Sequence, residues 1–204
     1  MKTSSARTHA PGETTRRDFI VQTTAAGGAL VLGWQVPQTA LAQTVGSELN
    51  LWVVIKPDDS CVVRIARSEM GQGTLTGLAQ LVAEELECDW TKIAYEMPTP
   101  GQSLARKRAW GEMGTGGSRG IRTSEDYVRR GGAAARVMLL QAAAEQWNVP
   151  ATELTVSDGV ITHAASKRSI RYGEVAAAAA KLTPPDPKSI TLKDPKNWNA
   201  TGIR

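Results

Sequence analysis

With two cysteines and two histidines in 204 residues, the chain cannot assemble a four-ligand zinc or iron–sulfur site from cysteine and histidine. His9 sits in the N-terminal tail and His163 far downstream, and no Cys–His spacing marks a nucleophile. Cys61 lies in an apolar run and Cys88 at the end of a helical pattern. Both positions suit small buried hydrophobes, while an oxidising compartment would also allow the two thiols to pair. The chain also has no run of five or six basic residues. Its 24 Lys/Arg against 20 Asp/Glu give a net charge of +4, a mildly cationic surface and not a nucleic-acid-binding stripe. No apolar stretch reaches the roughly 20 residues that a membrane-spanning helix needs.

What is present is ordinary globular material, 41% hydrophobic and 22% charged, long enough for one domain or at most two small ones. The first 42 residues stand apart from it. Arg16-Arg17-Asp18-Phe19-Ile20 sets two arginines ahead of a weakly apolar, glycine-interrupted stretch, and Thr39-Ala40-Leu41-Ala42 supplies an A-x-A cleavage site. That order resembles a twin-arginine export signal, so residues 1–42 are read as an address for the periplasm or the periplasmic face of the inner membrane. Proteins using this route often fold around a cofactor before export. Because the tail holds four Lys/Arg and two Asp/Glu, the remainder carries 20 against 18.

The body of the chain, residues 43–183, punctuates itself. Leu49 to Lys56 and Ser60 to Arg67 are β-rich runs around Pro57-Asp58-Asp59, which predicts a hairpin. From Thr74 to Glu87, Leu75, Leu78, Leu81, Val82 and Leu86 recur at helical spacing. Lys92 to Met97 predicts a strand ended by Pro98 and Pro100. After a long polar loop, a helix is expected from about Ser124, with Glu125 and Asp126 in its first turn, to Trp147, stopped by Asn148-Val149-Pro150. Leu154 to Ser157 and Val160 to His163 flank Asp158-Gly159, a strong hairpin signal. A third helix is expected over Tyr172 to Leu182, and the prolines from Pro184 onward make residues 184–204 an extended arm. Hairpins and helices without regular βαβ alternation predict an α+β layered domain: a mixed sheet packed with about three helices.

Two glycine turns precede helices: Gly71-Gln72-Gly73 before Thr74, and Gly114-Thr115-Gly116-Gly117-Ser118 before Arg119 and Arg122. Backbone N–H groups meeting the positive end of a helix dipole suit an anionic ligand. Neither turn fits a familiar nucleotide motif: the first lacks the third glycine of the dinucleotide fingerprint, and the second lacks the Gly-Lys-Ser/Thr of a P-loop. On the residues alone a plain turn and a ligand cradle both stand. The Gln72 amide can read a heterocycle edge or an oxo group without bringing charge, or simply face water. Arg119 and Arg122 are either phosphate partners or solvated loop residues.

A resemblance bears on this choice. Ser68-Glu69-Met70-Gly71-Gln72-Gly73-Thr74 with Leu81-Val82-Ala83-Glu84-Glu85-Leu86 and Asp89-Trp90, then Thr115-Gly116-Gly117-Ser118, Arg122, and Arg129-Arg130-Gly131-Gly132-Ala133-Ala134-Ala135-Arg136, are similar to the cofactor-binding subunit of the molybdenum hydroxylases, the xanthine dehydrogenase family. Within that family the pattern resembles the exported isoquinoline 1-oxidoreductase or aldehyde dehydrogenase type. The resemblance runs on through Tyr172-Gly173-Glu174-Val175 and Leu192-Lys193-Asp194-Pro195 and implies a molybdopterin cofactor, in bacteria usually molybdopterin cytosine dinucleotide carrying Mo. The chemistry it implies is oxidation of aldehydes or hydroxylation of N-heterocycles with oxygen from water. Electrons would pass to a separate small subunit with two [2Fe–2S] clusters, often on to a cytochrome. It places Gly71, Gln72, Gly73 and Thr74 at the pterin, and Gly116, Gly117, Ser118 and Arg122 in a second cofactor loop. Arg119 stands where the group carries a small polar residue.

Family members run to several hundred residues, and their active-site glutamate lies in a Gly-Glu context near the far C-terminus. Neither Glu69 nor Glu112 matches that motif, so no catalytic residue is assigned. The chain reads as an N-terminal portion whose arm leads toward the rest of a large subunit. Two functions follow: the cofactor-binding segment of an exported molybdenum hydroxylase, or a non-catalytic binding or assembly domain, or inactive fragment, that keeps the fold without the chemistry.

Overall fold

The structure, a computed structural model, describes residues 46–198. The export-signal reading and His9 lie outside the described residues, as does the end of the arm.

The first sheet has strands β1 (Ser47–Glu48), β2 (Val53–Ile55), β3 (Cys61–Arg64) and β4 (Ile93–Glu96), in that order across the sheet. β1, β2 and β3 pair antiparallel, and β4 pairs parallel to β3. The expected first hairpin forms, shorter than its apolar runs, with Val53 opposite Val63 and Ile55 opposite Cys61. Val53, Ile55, Cys61, Val63 and Ile65 enter the main core, and Val54 and Val62 are buried on the opposite face. That two-sided burial is why these segments read as continuous apolar runs.

The parallel β3/β4 pair requires a crossover, and helix α1 (Thr74–Leu86) provides it. The sheet is therefore mixed, as expected, and contains a βαβ unit that hairpin-based reading did not anticipate. Helix α4 (Glu125–Trp147) packs along α1. Gly132 makes this approach possible: a Cβ there would lie 2.7 Å from the Val82 carbonyl oxygen. Asn148, left-handed at φ 53°, ends α4 where predicted. Ser124 occupies the N-cap position but makes no side-chain cap; its hydroxyl instead accepts from Arg67 Nε at 2.9 Å and from the Tyr127 hydroxyl at 2.6 Å.

The second sheet is an antiparallel meander, β5 (Leu154–Ser157), β6 (Val160–His163) and β7 (Arg168–Arg171). Asp158 and Gly159 are both at positive φ, 49° and 75°, the conformation that a two-residue hairpin turn demands. β7 escapes the sequence reading because Ile170 is its only apolar residue. Helix α5 (Tyr172–Ala179) follows it and is shorter than expected, with the fully buried Tyr172 donating to the Leu86 carbonyl at 2.6 Å.

Two short helices join the three expected. α2 (Pro100–Ala105) opens with a capping box between Thr99 and Gln102, and α3 (Arg119–Arg122) follows the second glycine loop. The proline-rich arm is fastened to the helices. Arg130 donates to the Pro187 carbonyl at 2.7 Å and Arg129 to that of Lys193 at 2.6 Å, and Lys193 N–H donates to Glu85 at 3.2 Å. Glu85, wholly buried, also takes both Nε and Nη2 of Arg129, at 2.9 and 2.7 Å.

Candidate functional site

Loops carrying ligands in α/β sheets gather at the carboxyl ends of parallel strands. Here β3 and β4 both run out on one side, β3 into Ile65–Ser68 and the first glycine turn, β4 into Met97–Thr99. The second glycine loop is drawn to the same place. Ser68 donates through its N–H (2.9 Å) and hydroxyl (3.1 Å) to the Met113 carbonyl. Arg67, buried, donates to the Gly114 carbonyl at 2.8 Å and to Thr123 Oγ1 at 3.0 Å. Glycine at 120 lets the loops close on each other, since a Cβ there would lie 2.6 Å from both Thr74 Oγ1 and Thr115 Oγ1. The two turns, more than 40 residues apart in sequence, thus form one surface. A recess of about 380 Å³ opens beside them, lined by Ile65, Glu69, Met97, Pro98, Thr99 and Met113 among others.

The two halves differ in their hydrogen-bonding state. Gly71, Gln72 and Gly73 are exposed and Thr74 is buried beneath them. Gly71 and Gly73 have positive φ, 94° and 77°, with nothing within 4 Å of a Cβ at either position. Gly73 is the N-cap of α1 and has no side chain to cap it. Glu69 takes that role: Oε1 accepts from the N–H of Gly71 (2.7 Å) and Gly73 (3.1 Å), and Oε2 from that of Leu75 (3.0 Å). These bonds, led by that from Leu75, hold its carboxyl below the usual glutamate range. The Gln72 amide is likewise engaged, accepting from Met70 N–H at 2.6 Å and donating to Ser68 O and Thr74 Oγ1, each at 2.8 Å. The N–H groups of Gly71, Gly73 and Leu75, three of the donors expected to cradle an anion at this turn, are thus met from within the chain.

The second loop is open. Gly116, Gly117 and Ser118 are exposed. Gly117 and Ser118 lie at φ 68° and 57°, and among the described residues none of the three N–H groups has a hydrogen-bond partner. No atom lies within 4 Å of a Cβ at Gly114, Gly116 or Gly117. Arg122 is exposed and reaches back to the Gly117 carbonyl at 3.3 Å, while Arg119 is tied to Gly116 O at 2.9 Å and Glu112 at 2.8 Å. Successive unpartnered N–H groups beside a guanidinium suit an anionic group, and the bare glycine faces let a flat ring approach the backbone.

Glu69 and Arg67 are the members of this site that sequence reasoning did not assign. An acid four residues ahead of a glycine N-cap, with none in the first helical turn, is the available signal for the first. Cys61 and Cys88 lie away from the loops, both buried and free. His163 is held in the second sheet by Glu153 at 2.9 Å and Ser166 at 2.7 Å. Among the described residues, no group of three or more His, Cys, Asp or Glu side chains is placed to hold a metal ion.

A family model described as the molybdopterin cofactor-binding domain matches residues 4–202. The chain is 35% identical over 170 residues to the isoquinoline 1-oxidoreductase subunit beta of Brevundimonas diminuta, covering 80% of this chain and 22% of that protein. It is 29% identical over 190 residues to the membrane-bound aldehyde dehydrogenase [pyrroloquinoline-quinone] of Gluconacetobacter polyoxogenes, covering 87% and 23%. It therefore spans about a fifth of the length of these relatives. A reconstituted CO dehydrogenase from Oligotropha carboxidovorans shares the fold, at a TM-score of 0.50 and 23% identity over 65% of this chain and 16% of that one.

Proposed function

The chain belongs to the molybdopterin cofactor-binding domain family, and from that premise we propose that its two glycine loops jointly hold the pterin cofactor of an exported molybdenum hydroxylase. The observation that carries this reading is the joining of Gly71–Gly73, with Thr74 buried beneath them, and Gly116–Ser118 into one exposed surface. Gly116, Gly117 and Ser118 supply free N–H groups and Arg122 a positive charge for the phosphate portion. Gln72 and its flanking glycines present a neutral face to the ring system. The cofactor, in its cytosine dinucleotide form, would supply the molybdenum-centred oxidation of an aldehyde or N-heterocycle. This chain's residues bind and orient it, and none of them is assigned a proton-transfer role.

Apolar side chains flank the site: Met70 is 76% exposed and Met97 52%. We assign this rim to contact with the remainder of a large subunit, which would contribute the catalytic carboxylate. An iron–sulfur subunit, and a cytochrome beyond it, would receive the electrons. The twin-arginine pattern in residues 1–42 supports export to the periplasm after cofactor loading. Among the described residues no helix is long and apolar enough to cross a membrane.

Metal and pterin analysis of the protein as its host makes it tests the proposal. Molybdenum and an oxidised-pterin fluorophore in equal amounts, with released CMP, support it. A quinone in their place would overturn the molybdenum reading, and protein that holds neither although the rest of the subunit is present would leave the non-catalytic assembly domain as the better reading.

A further inference from the structure

Helix α1 begins with a difficulty that its sequence creates. Its N-cap is a glycine in the left-handed region, its first turn has no acidic residue, and the turn before it alternates two positive-φ glycines around Gln72. The N–H groups of Gly71, Gly73 and Leu75 converge and, left alone, would be satisfied only by water or a bound anion. The Glu69 carboxylate meets all three, at 2.7, 3.1 and 3.0 Å. The Gln72 side chain is then folded across the turn onto Met70 N–H and Ser68 O, the backbone on either side of Glu69, and onto the buried Thr74 hydroxyl. The orientation of Gln72 thus depends on residues that Glu69 fixes.

We propose that Glu69 is the positioning residue of the first loop: its carboxylate is a built-in anion that shapes the Gly71–Gly73 turn and sets how Gln72 faces the cofactor. The inference rests on the reading that this loop faces the pterin. It divides the work between the loops. The helix α1 N-terminus is already occupied and takes no ligand phosphate, so anionic groups are met at Gly116–Ser118. The first loop is pre-ordered, and its cofactor contact comes from Gln72 and the glycine surfaces.

Glu69→Ala and Glu69→Gln, made in the protein as its host produces it, test this with two readouts. The first is amide hydrogen exchange at Gly71, Gly73 and Leu75 in cofactor-free protein. The second is the rate of pterin loss from loaded protein. In Glu69→Ala both rates rise by about tenfold, as expected for losing hydrogen bonds to a charged acceptor, while exchange in β2 and β3 keeps its wild-type rate. Added formate, a free carboxylate, returns both rates toward wild type. Glu69→Gln keeps one acceptor oxygen and gives a smaller increase that formate does not reverse. Formate failing to restore either rate would overturn the proposal, as would wild-type pterin retention in Glu69→Ala despite faster exchange at the loop. If wild-type protein binds no pterin, the cofactor reading fails by itself; formate-reversible exchange at the three amides would then still support Glu69 as the group that shapes the turn, and its absence would overturn that too.

Discussion

Gly120→Ala compared with Gly116→Ala separates the packing of the two loops from the binding surface they make. Gly120 lies in helix α3 with an ordinary helical φ, so alanine is favoured there by up to about 1 kcal/mol of intrinsic propensity. Its Cβ, however, would sit 2.6 Å from two threonine hydroxyls and 3.2 Å from Thr74 Cγ2. Both hydroxyls belong to buried residues, Thr74 at 2% and Thr115 at 9% exposure, so neither has free space to retreat into. Overpacking of this kind costs about 1–3 kcal/mol. Against the propensity gain, a net loss of roughly 0–3 kcal/mol is expected, centred at about 1.5. At about 2–4 °C per kcal/mol for a chain of this size, that is a fall in Tm of a few degrees, accompanied by faster loss of cofactor as the loops part. Gly116 is the control: it has no positive φ, and nothing lies within 4 Å of its Cβ. Gly116→Ala therefore keeps or slightly raises Tm, by the loop-entropy gain of about 0.4–1 kcal/mol, yet on the proposed reading lowers cofactor retention, because the methyl would fill the open space in front of the backbone that the proposal gives to the ligand. Thermal melts and pterin content of both variants make the comparison. Equal Tm shifts for the two, or unimpaired pterin content in Gly116→Ala, would refute the assignment of one glycine to packing and the other to the ligand surface.

Glu85→Ala leaves the buried Arg129 with only the half-exposed Glu125 carboxylate at 3.5 Å and removes the acceptor for Lys193 N–H; a loss of about 3 kcal/mol, the low end for a broken buried pair, should appear in the urea midpoint, together with protease sensitivity around residues 187–193. Because hydrogen bonds lower the Glu69 pKa, its contribution is fully present above the ordinary glutamate range and disappears as pH falls through the lowered value. Amide protection at Gly71, Gly73 and Leu75 should therefore persist through mildly acidic pH and collapse only below that range, and its loss near neutrality would contradict the hydrogen-bonding pattern. The Cys88 thiol is pushed well up by its hydrogen bond with Cys61 and by burial, so Cys88 should resist alkylation at pH 8 until the chain is unfolded, as should Cys61 because it is shut away from reagent in the core, and rapid native-state labelling would show a core more open than described.

The elements that could be read directly were those whose apolar pattern matches their burial. Leu78, Val82 and Leu86 fix α1 because one face of that helix meets the sheet and α4. Asp158-Gly159 fixes its hairpin because both residues tolerate positive φ. β7 and α3 were not legible, since Arg168-Ser169-Ile170-Arg171 and Arg119-Gly120-Ile121-Arg122 are held by pairing and packing with distant segments, with little apolar periodicity of their own. Helix α2 was not legible either: its Thr99/Gln102 capping box is seen in the structure, while Pro98 and Pro100 in the sequence read as the end of a strand before a polar loop. At the site, the glycine turns were visible in the sequence, and their contact through Arg67, Ser68 and Gly120 was not, because those bonds span 40 residues or more. The occupation of the first turn by Glu69 was hidden for a different reason: which acceptor reaches a helix N-terminus depends on the path of the loop, and two positive-φ glycines give that loop a path its composition does not announce.

The central claim is that both loops contact one cofactor. Hydrogen exchange measured on cofactor-loaded and cofactor-free protein tests it most directly, with peptides covering residues 68–75, 113–119 and the separate apolar cavity of about 480 Å³ around Trp52, Tyr127 and Pro184. Simultaneous protection of the first two segments on loading, with the cavity unchanged, is the predicted result. Protection confined to the Trp52 cavity, or to one glycine loop alone, would contradict it.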